Sequence, residues 1–300
     1  MDLFLTLVTA LLLDSWLGEP RRFHPLVGFG RLARLLETAL YFDSRLAGLV
    51  ALLMLLVPFL LLSLLVDELP GGAGAIIEVL LLYFAIGRNS LGVHARRVQG
   101  ALMAGDLKMA RRWLGMLVSR DTAQLDRREV AGATLESVLE NGNDAIFGAV
   151  FWFVVAGAPG AVIYRLANTL DAMWGYRNER YHRFGWAAAR LDDLLNIVPA
   201  RLTAVSYALA GRFRTAVGCW REQGRCWKSP NAGPVMAAGA GSLGISLGGA
   251  ACYDGVREMR PQLGKGPSPD VDMIARGVRL VDRALLIWIG GLFAGVWLVG

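Results

Sequence analysis

The chain has 300 residues, of which 55% are hydrophobic and 19% are charged, and its formal net charge is +6 at pH 7. A mean hydropathy of +0.44 is too high for an ordinary soluble domain. The three cysteines lack CxxC spacing and the three histidines are scattered, so neither a disulfide framework nor a zinc site is indicated. Most basic residues are arginines, which fits both the positive-inside bias of membrane proteins and the recognition of anions. No basic run is interleaved with aromatic residues outside the membrane-flanking loops, so nucleic acid is not an expected partner.

Apolar stretches recur along the chain at lengths that suit a lipid bilayer. Residues 46–66 carry no charge and are interrupted only by Pro58 and Ser63, and such a stretch can cross about 30 Å of hydrocarbon. The sequence therefore predicts an all-α, polytopic integral membrane protein that forms a single membrane-embedded domain. The predicted spans lie near 3–17, 46–66, 75–87, 145–164, 194–210 and 284–300.

A secretory signal peptide is a competing interpretation of the first 17 residues. It fits poorly, because no basic segment precedes the apolar stretch. In addition, Asp14 is followed by Gly18-Glu19-Pro20 rather than by a small-residue cleavage site.

Between the spans, residues 26–41 have leucines on one face and charged side chains on the other, the pattern of an amphipathic interfacial helix. Residues 88–144 are predicted to be the main soluble helical region, facing the cytoplasm. Within it, Gly105-Asp106 predicts a helix stop and a new N-cap. Asp126 with Glu129 predicts a capping box.

The apolar stretch at 145–164 raises a question of topology. If it crosses the membrane once, the polar segment after it lies on the opposite side from the basic region at 88–144. Gly157-Ala158-Pro159-Gly160 interrupts the stretch, so we favour a helical hairpin that returns to the same face. No β-strand alternation stands out, and no sheet is predicted.

Two groups of polar residues could carry chemistry. Glu136, Glu140 and Asp144 recur every four residues, which places them on one helical face where they could hold Mg²⁺ or position an amine. A solvated helix face is the alternative.

The second group is Asp192, Asp193 and Asn196, which suit Mg²⁺ bridging the phosphates of a nucleotide. Acids favoured by the dipole of a helix N-terminus are the alternative. Asn168 and Asp171 form a similar cluster with a neighbouring arginine.

Two loops could bind anions. Arg120, in Ser119-Arg120-Asp121-Thr122, could clamp a phosphate or belong to an ordinary cap. Ser229-Pro230-Asn231 could serve an anion or simply make a turn.

The segment from Gly239 to Gly244 matches GxGxxG, but no strand precedes it and no acidic residue follows at the distance that dinucleotide binding needs. Close helix packing through small residues explains it better. A Walker P-loop is absent, so ATP would be held by another kind of site.

Taken in order, a series of motifs resembles one known family. The motifs are Leu13-Asp14, Gly18-Glu19-Pro20, His24-Pro25, Gly87-Arg88-Asn89-Ser90-Leu91, Ser119-Arg120-Asp121-Thr122, Glu136-Ser137, Glu140-Asn141, Asp144, Asn168-Thr169-Leu170-Asp171-Ala172-Met173, Gly175-Tyr176, Ala189-Arg190-Leu191-Asp192-Asp193, Pro199-Ala200-Arg201-Leu202, Ser229-Pro230-Asn231-Ala232-Gly233 and Leu247-Gly248-Gly249. They resemble the membrane-bound adenosylcobinamide-phosphate synthase (CobD/CbiB) family of cobalamin biosynthesis. The likeness covers nearly the whole chain. One departure is Gly142, where the family usually has threonine.

The resemblance implies an ATP- and Mg²⁺-dependent ligase that joins adenosylcobyric acid, a corrinoid, to the amine of an aminopropanol phosphate. On this basis we assign Mg²⁺ binding to Asp192, Asp193, Glu140 and Asp144; phosphate, nucleotide or carboxylate binding to Arg88, Arg120, Arg201, Asn168, Ser229 and Asn231; and catalysis to Asp171, Glu136 and Arg190. Asp171 or Glu136 would orient the amine and take its proton.

The expected location is the bacterial inner membrane, as a multi-pass protein with its active face toward the cytoplasm. The expected partners are the lipid bilayer and the small-molecule substrates, and a homo-oligomer is compatible with the sequence. A non-catalytic relative and a transporter are the alternatives. Trp174, Tyr176, Tyr181, Phe184 and Trp186 could line a wall for the corrin ring or form an interfacial aromatic belt.

Overall fold

A computed structural model of the chain describes residues 3–20, 24–66, 68–70, 72–176, 178–253 and 255–299. The elements in chain order are α1 (Leu3–Leu17), α2 (Pro25–Leu40), α3 (Arg45–Leu64), α4 (Ala73–Ala85), α5 (Arg88–Met103), α6 (Leu107–Leu114), α7 (Arg127–Gly142), a π-helical turn (Asn143–Phe147), α8 (Gly148–Trp174), α9 (Tyr181–Phe184), α10 (Trp186–Ala210), α11 (Phe213–Gln223), a 3-10 turn (Gly224–Cys226), α12 (Ala232–Leu243), β1 (Ser246–Tyr253), β2 (Val256–Gly264) and α13 (Val271–Val299).

Four helical stretches within the described residues are long and apolar enough to cross a membrane: Arg45–Leu64, Ala73–Met103, Arg127–Trp174 and Val271–Leu298. Each overlaps one of the predicted spans. The apolar helix α1 is shorter, and the span predicted near 194–210 forms part of α10, which is not one of the four. The chain is thus a mainly α-helical, polytopic membrane protein, as the sequence predicts. Gly300, the last residue of the final predicted span, lies outside the described residues.

The chain folds as two compact units. The first comprises Met1–Arg88 and Asp144–Asn196, and the second comprises Asn89–Asn143 and Ile197–Gly300. The core of the first unit contains Leu52 of α3, Leu170 of α8 and Phe184 of α9. These side chains are fully or almost fully buried, and they hold the three helices together by excluding water.

The chain reverses direction within α8. Ala156 and Gly157 leave the helical conformation, and Gly157 has φ 62° and ψ −154°, which only glycine adopts readily. Beyond this break, Nη1 of Arg165 lies 3.4 Å from the carbonyl oxygen of Asp144. An unbroken helix would separate these two residues by about 30 Å. The reversal falls in the segment where Gly157-Ala158-Pro159-Gly160 predicts a break, and it brings polar residues from both arms together.

The two helix N-caps predicted from the sequence lie in the second unit, at the starts of α6 and α7. Asp126 and Glu129 form a capping box at the start of α7, with bonds of 2.8 Å and 2.7 Å between each side chain and the other residue's backbone N–H. Asp106 caps α6 by accepting from the N–H of Met109 at 2.9 Å. Gly105 precedes it with φ 77°. Both predictions are confirmed. These signals can be recognised in a sequence because capping depends on residues that are close to one another in the chain.

The second unit also contains an antiparallel hairpin of β1 and β2, which pair from Ser246 with Gly264 to Tyr253 with Val256. The expectation of no sheet is therefore wrong. Strand β1 is rich in glycine and alanine and lacks the β-branched residues that mark most strands. Asp254-Gly255, a frequent two-residue hairpin turn, was the available sequence signal.

The GxGxxG segment lies in α12 and its C-cap, Gly244, and β1 follows it instead of preceding it. A side chain at Gly239 would collide with Leu139 of α7. A side chain at Gly241 would collide with the backbone at Ala216 of α11. The small residues thus allow close helix packing, as predicted, and the segment is not a dinucleotide site.

Candidate functional site

The second unit contains a buried carboxylate, that of Glu136 in α7, between two arginines. Arg260 donates from Nη1 to Oε2 at 2.9 Å and from Nη2 to Oε1 at 3.2 Å. Arg120 donates from Nη2 to Oε2. The backbone N–H of Gly248 donates to Oε1 at 2.8 Å. Both carboxylate oxygens therefore accept charged or backbone hydrogen bonds, and the two guanidiniums are held in place.

The β-hairpin supplies two of these three donor residues, Gly248 and Arg260. Gly248 in β1 has φ 89°, and a side chain there would collide with the carbonyl oxygen of Pro261, so the approach to Glu136 requires glycine. Arg260 in β2 also donates from Nε to the carbonyl oxygen of Gly249 at 3.3 Å. Burial opposes the charge of Arg260, but charge attraction and hydrogen bonding to Glu136, together with those to Tyr253, raise the pKa of the guanidinium.

A cavity of about 250 Å³ opens beside this cluster. Its polar lining consists of Ser119, Arg120, Glu136, Ser137, Glu140, Asn141, Tyr253 and Arg260, with Trp227 on its wall. The Arg260 guanidinium lies 5.3 Å from the centre of the Trp227 ring, within reach of a cation–π interaction. Because two guanidiniums face one central carboxylate, this part of the cavity has an excess of positive charge and suits an anionic group.

A different polar cluster lies in the first unit around Asp192 of α10. Asn168 donates to Oδ1 of Asp192 and Asn196 donates to Oδ2, each at 3.2 Å. Tyr164 donates to the carboxamide oxygen of Asn196 at 2.9 Å. Burial raises the pKa of Asp192 to about 6; the two amide hydrogen bonds act in the opposite direction, and the neighbouring Asp193 adds to the rise. The two amide groups that donate to Asp192 are neutral.

Arg165 joins the same cluster from α8. Its Nη1 donates to the carboxamide oxygen of Asn168 at 3.3 Å and to the carbonyl oxygen of Asp144 at 3.4 Å. Its Nε is buried and has no hydrogen-bond partner among the described residues. The reversal of α8 therefore brings the positive charge of Arg165 to Asp144, and Asn168 links this arginine to Asp192. Buried donors of this kind suit an anionic ligand.

Asp193 and Asp192 contact different residues, because successive side chains of a helix point about 100° apart. It pairs with Arg190 at 3.3 Å, and both line a cavity of about 300 Å³ with Arg45, Tyr176, Tyr181 and Trp186. The remaining two aromatic residues of the predicted corrin wall or belt, Trp174 and Phe184, are buried in the core. Helix α10 begins at Trp186, so the alternative of a helix N-terminal turn does not apply to Asp192 and Asp193.

The other predicted residues have varied surroundings. Arg88 donates to Ser15 Oγ at 3.1 Å in the first unit. Asp171 lies in α8, beside its C-cap residue Gly175. In the second unit, Arg201 donates to the side-chain oxygen of Asn231.

Ser229 Oγ accepts from the backbone N–H of Ala232 at 3.1 Å and of Asn231 at 3.3 Å, which makes the turn into α12. The turn-making alternative therefore describes Ser229, and Asn231 is oriented by Arg201.

The predicted metal ligands do not form one group. Glu140 lies in α7 of the second unit, whereas Asp144 lies in the π-helical turn of the first. Among the described residues there is no group of three or more His, Cys, Asp or Glu that could hold a metal ion. Mg²⁺ often needs only one or two carboxylates beside phosphates and water.

Sequence reasoning missed Arg260, Trp227 and Tyr253. All three depend on the hairpin and the loop before α12, and none lies in a motif with a fixed spacing. The strand signal at Asp254-Gly255 would have placed Arg260 in a strand. It would not have shown that the strand faces Glu136.

The fold and the polar clusters define a class: a polytopic α-helical membrane protein with buried arginine–carboxylate groups beside open cavities. The chain belongs to the CobD/Cbib protein family, whose model matches residues 7–281. It is 56% identical over 304 residues to the "Cobalamin biosynthesis protein CobD" of Stutzerimonas stutzeri (strain A1501), and the match covers 99% of each chain.

Two further relatives carry the same name. The protein of Chromobacterium violaceum is 55% identical over 309 residues, covering 100% of this chain and 99% of that one. The protein of Mycobacterium tuberculosis (strain ATCC 25618 / H37Rv) is 42% identical over 275 residues, covering 90% of this chain and 88% of that one. No solved structure matches the chain significantly.

Proposed function

We propose that this protein acts in cobalamin biosynthesis as an ATP- and Mg²⁺-dependent acid–amine ligase. It would join the carboxylate of adenosylcobyric acid to the amine of an aminopropanol phosphate and so form adenosylcobinamide phosphate. The names of relatives that match nearly the whole chain support the pathway. The observation that carries the ligase is the arginine–carboxylate cluster of Arg120, Glu136 and Arg260 beside an open cavity. Every substrate of this reaction bears a phosphate or a carboxylate, which guanidinium groups bind well.

The proposed reaction passes through an acyl phosphate. A carboxylate oxygen of the corrinoid substrate attacks the terminal phosphorus of ATP, and ADP leaves. The amine nitrogen then attacks the acyl carbon, phosphate leaves, and the amine gives up a proton. One amide bond forms and one phosphoanhydride bond of ATP breaks. Fixed positive charge near the transferred phosphoryl group would lower the barrier of the first step.

Asp192 is the residue that we propose to hold Mg²⁺. It is a carboxylate in a polar cluster that also holds Arg165, and one carboxylate with phosphate and water ligands is a usual set for this ion. When bound, Mg²⁺ supplies charge compensation for the phosphates. Asp171 and Arg190 stay predictions for catalysis, and Arg190 pairs with Asp193 at 3.3 Å. Arg88, Arg201, Asn168, Ser229 and Asn231 stay predictions for the binding of ATP or carboxylate.

We place the reaction at the inner membrane of a bacterial cell, on the cytoplasmic face. The four apolar helical stretches support the membrane location, and the cytoplasmic face follows from the proposed use of ATP. Accessibility of an introduced cysteine to a membrane-impermeant thiol reagent in spheroplasts tests the face. Labelling of a Lys228→Cys variant whose three native cysteines are replaced by serine is expected only after permeabilisation. Labelling of intact spheroplasts would contradict the cytoplasmic face.

The ligase is tested with purified protein in detergent, adenosylcobyric acid, aminopropanol phosphate, ATP and Mg²⁺. Mass spectrometry should detect the amide product from the wild type, only when ATP is present. Asp192→Asn should lose most of this activity, whereas Asp272→Asn, an exposed acid of α13, should keep it. Absence of product with a folded wild type that still binds cobyric acid would favour a non-catalytic relative. Absence of both would favour a transporter.

A further inference from the structure

The cavity of about 250 Å³ in the second unit has charged groups of both signs on its wall. We infer that it binds a small zwitterion, with the phosphate of the ligand on Arg120 and its ammonium group toward Glu140. Glu136 acts there as a positioning residue that holds the two guanidiniums. The inference rests on the proposed function, because an aminopropanol phosphate is such a zwitterion, and it assigns that substrate to one cavity.

The surroundings of Glu136 differ from those of a proton acceptor. Its two oxygens accept from Arg120, from two nitrogens of Arg260 and from the N–H of Gly248. The side chain is only 6% exposed. These bonds stabilise the charged carboxylate and leave it poorly placed to take a proton from an amine. They also fix both guanidiniums, which removes much of the entropy cost of binding a ligand to them.

Arg120 has donors left for a ligand. Among the described residues, only its Nη2 has a hydrogen-bond partner, so Nε and Nη1 can serve an incoming group. Its side chain is 9% exposed and lines the cavity. Arg260, in contrast, uses all three of its guanidinium nitrogens for Glu136 and Gly249. The phosphate contact is therefore assigned to Arg120, with Arg260 supplying charge and support.

A second acid in the lining of the cavity, Glu140, argues for a ligand that also carries a positive charge. Glu140 lies one helical turn beyond Glu136, so their Cβ atoms are about 6 Å apart. A linker of two or three carbon atoms can bridge such a distance. Glu140 adds a carboxylate to the lining, and a carboxylate attracts an ammonium group. Asn141 and Ser137 add polar groups beside it.

The size of the cavity suits a small ligand. Pockets for drug-sized ligands usually measure about 300 to 1,000 Å³. A cavity of about 250 Å³ lies below that range and cannot enclose a corrin ring or a whole nucleotide. Trp227 and Tyr253 close part of the wall and can cover the carbon atoms of a short amino alcohol.

The test measures binding alone, without ATP and corrinoid. Isothermal titration calorimetry on the purified full-length protein compares 1-amino-2-propyl phosphate with isopropyl phosphate, which is the same molecule without its amine. We expect the wild type to bind the amine about tenfold more tightly, because a charge pair in a partly dry cavity contributes about 1.4 kcal/mol or more. Arg120→Gln should weaken both ligands by at least about tenfold.

Glu140→Gln should weaken the binding of 1-amino-2-propyl phosphate only, so that this ligand and isopropyl phosphate bind with about equal affinity. Arg257→Gln changes an exposed arginine of the same strand as Arg260 and should leave both affinities unchanged. Glu136→Gln should weaken both ligands. If that variant does not fold, Arg120→Gln and Glu140→Gln decide the outcome.

Equal affinity of the wild type for the two phosphates, or unchanged binding by Arg120→Gln, would overturn the assignment. The ligase and the cavity assignment can fail separately. Selective binding of the amine without product formation would keep the cavity assignment and contradict the ligase. Product formation with unchanged amine binding by Arg120→Gln would contradict the cavity assignment and keep the ligase.

Discussion

The guanidinium of Arg260 donates two hydrogen bonds to the carboxylate of Glu136, at 2.9 Å and 3.2 Å. The two residues are 124 positions apart in the sequence. Glu136 belongs to α7 and Arg260 to β2, so this buried pair joins the hairpin to the helical part of the second unit. Its removal should affect stability as well as ligand binding.

Glu136→Ala is expected to lower the free energy of unfolding by about 3 to 5 kcal/mol, because it leaves two buried guanidiniums without their counter-charge. Thermal and denaturant unfolding in detergent can measure the loss. Lys228→Met is the matched control, since it breaks the Lys228–Glu258 pair, in which Lys228 is 67% exposed. Such a pair contributes less than about 1 kcal/mol. Equal losses in the two variants would contradict a structural role for the buried cluster.

His24 caps the N-terminus of α2 in the first unit, and we expect this cap to be lost in acid. Its Nδ1 accepts from the N–H of Leu26 at 3.2 Å, so that nitrogen must be unprotonated in the folded state. Burial lowers the pKa of His24 below 6.5; Glu19 opposes the shift and Arg165 adds to it. Because the folded pKa lies below the unfolded value, the stabilisation is fully present above about pH 6.5. It is lost as the pH falls through the folded pKa.

His24→Asn tests this pH dependence, because asparagine can cap a helix but does not titrate. At neutral pH the variant should be about as stable as the wild type. Toward pH 5 the wild type should lose up to about 1 kcal/mol relative to the variant, the usual contribution of a cap. Melting temperatures in detergent across this pH range provide the measurement. If the melting temperatures of the two proteins change with pH in parallel, His24 does not contribute to the pH dependence of stability.

Gly157→Ala is expected to destabilise the protein by about 1 to 3 kcal/mol, because its φ of 62° with ψ −154° is strained for any side chain. Space is not the cause, since the nearest atom to a new Cβ is 3.7 Å away. Gly218→Ala in α11 is the control, because it meets nothing within 4 Å and should gain about 0.5 to 1 kcal/mol. If Gly157→Ala leaves the stability of the protein unchanged, this would argue against the reversal of α8.

Glu37 should control the mobility of residues 178–186, four of which line the cavity of about 300 Å³ in the first unit. It accepts from Trp174 Nε1 at 3.1 Å, from Arg180 at 2.7 Å and 2.9 Å, and from Tyr181 Oη at 3.0 Å. Glu37→Gln should cost about 1.5 to 3 kcal/mol, the usual contribution of hydrogen bonds to a charged group. It should also speed amide exchange in residues 178–186.

Hydrogen–deuterium exchange with mass spectrometry can follow that segment directly. Asp43→Asn is a suitable control, because it weakens only the exposed pair with Arg183, 3.7 Å apart. We expect no change in exchange for that variant. Faster exchange in Asp43→Asn than in Glu37→Gln would mean that the surface pair, not the buried carboxylate, anchors the segment.

Features that depend on neighbours in sequence were predictable. The apolar stretches, the capping box of Asp126 and Glu129, and the small-residue packing around Gly239 follow from composition, hydrogen-bonding capacity and size over a few residues. The break at Gly157 follows from the conformational freedom of glycine beside proline. The sequence by itself therefore determined the membrane class, most helices and several of their ends.

The tertiary structure decided which polar residues meet. Adjacent Asp192 and Asp193 bind different partners because a helix turns about 100° per residue. Glu136 meets Arg260 only because a glycine-rich hairpin with weak strand signals packs beside α7. Such contacts depend on how distant elements pack, and the hydrophobic pattern of either element alone does not encode them. For this reason the candidate ligands could be listed from the sequence, but their partners and roles required the fold.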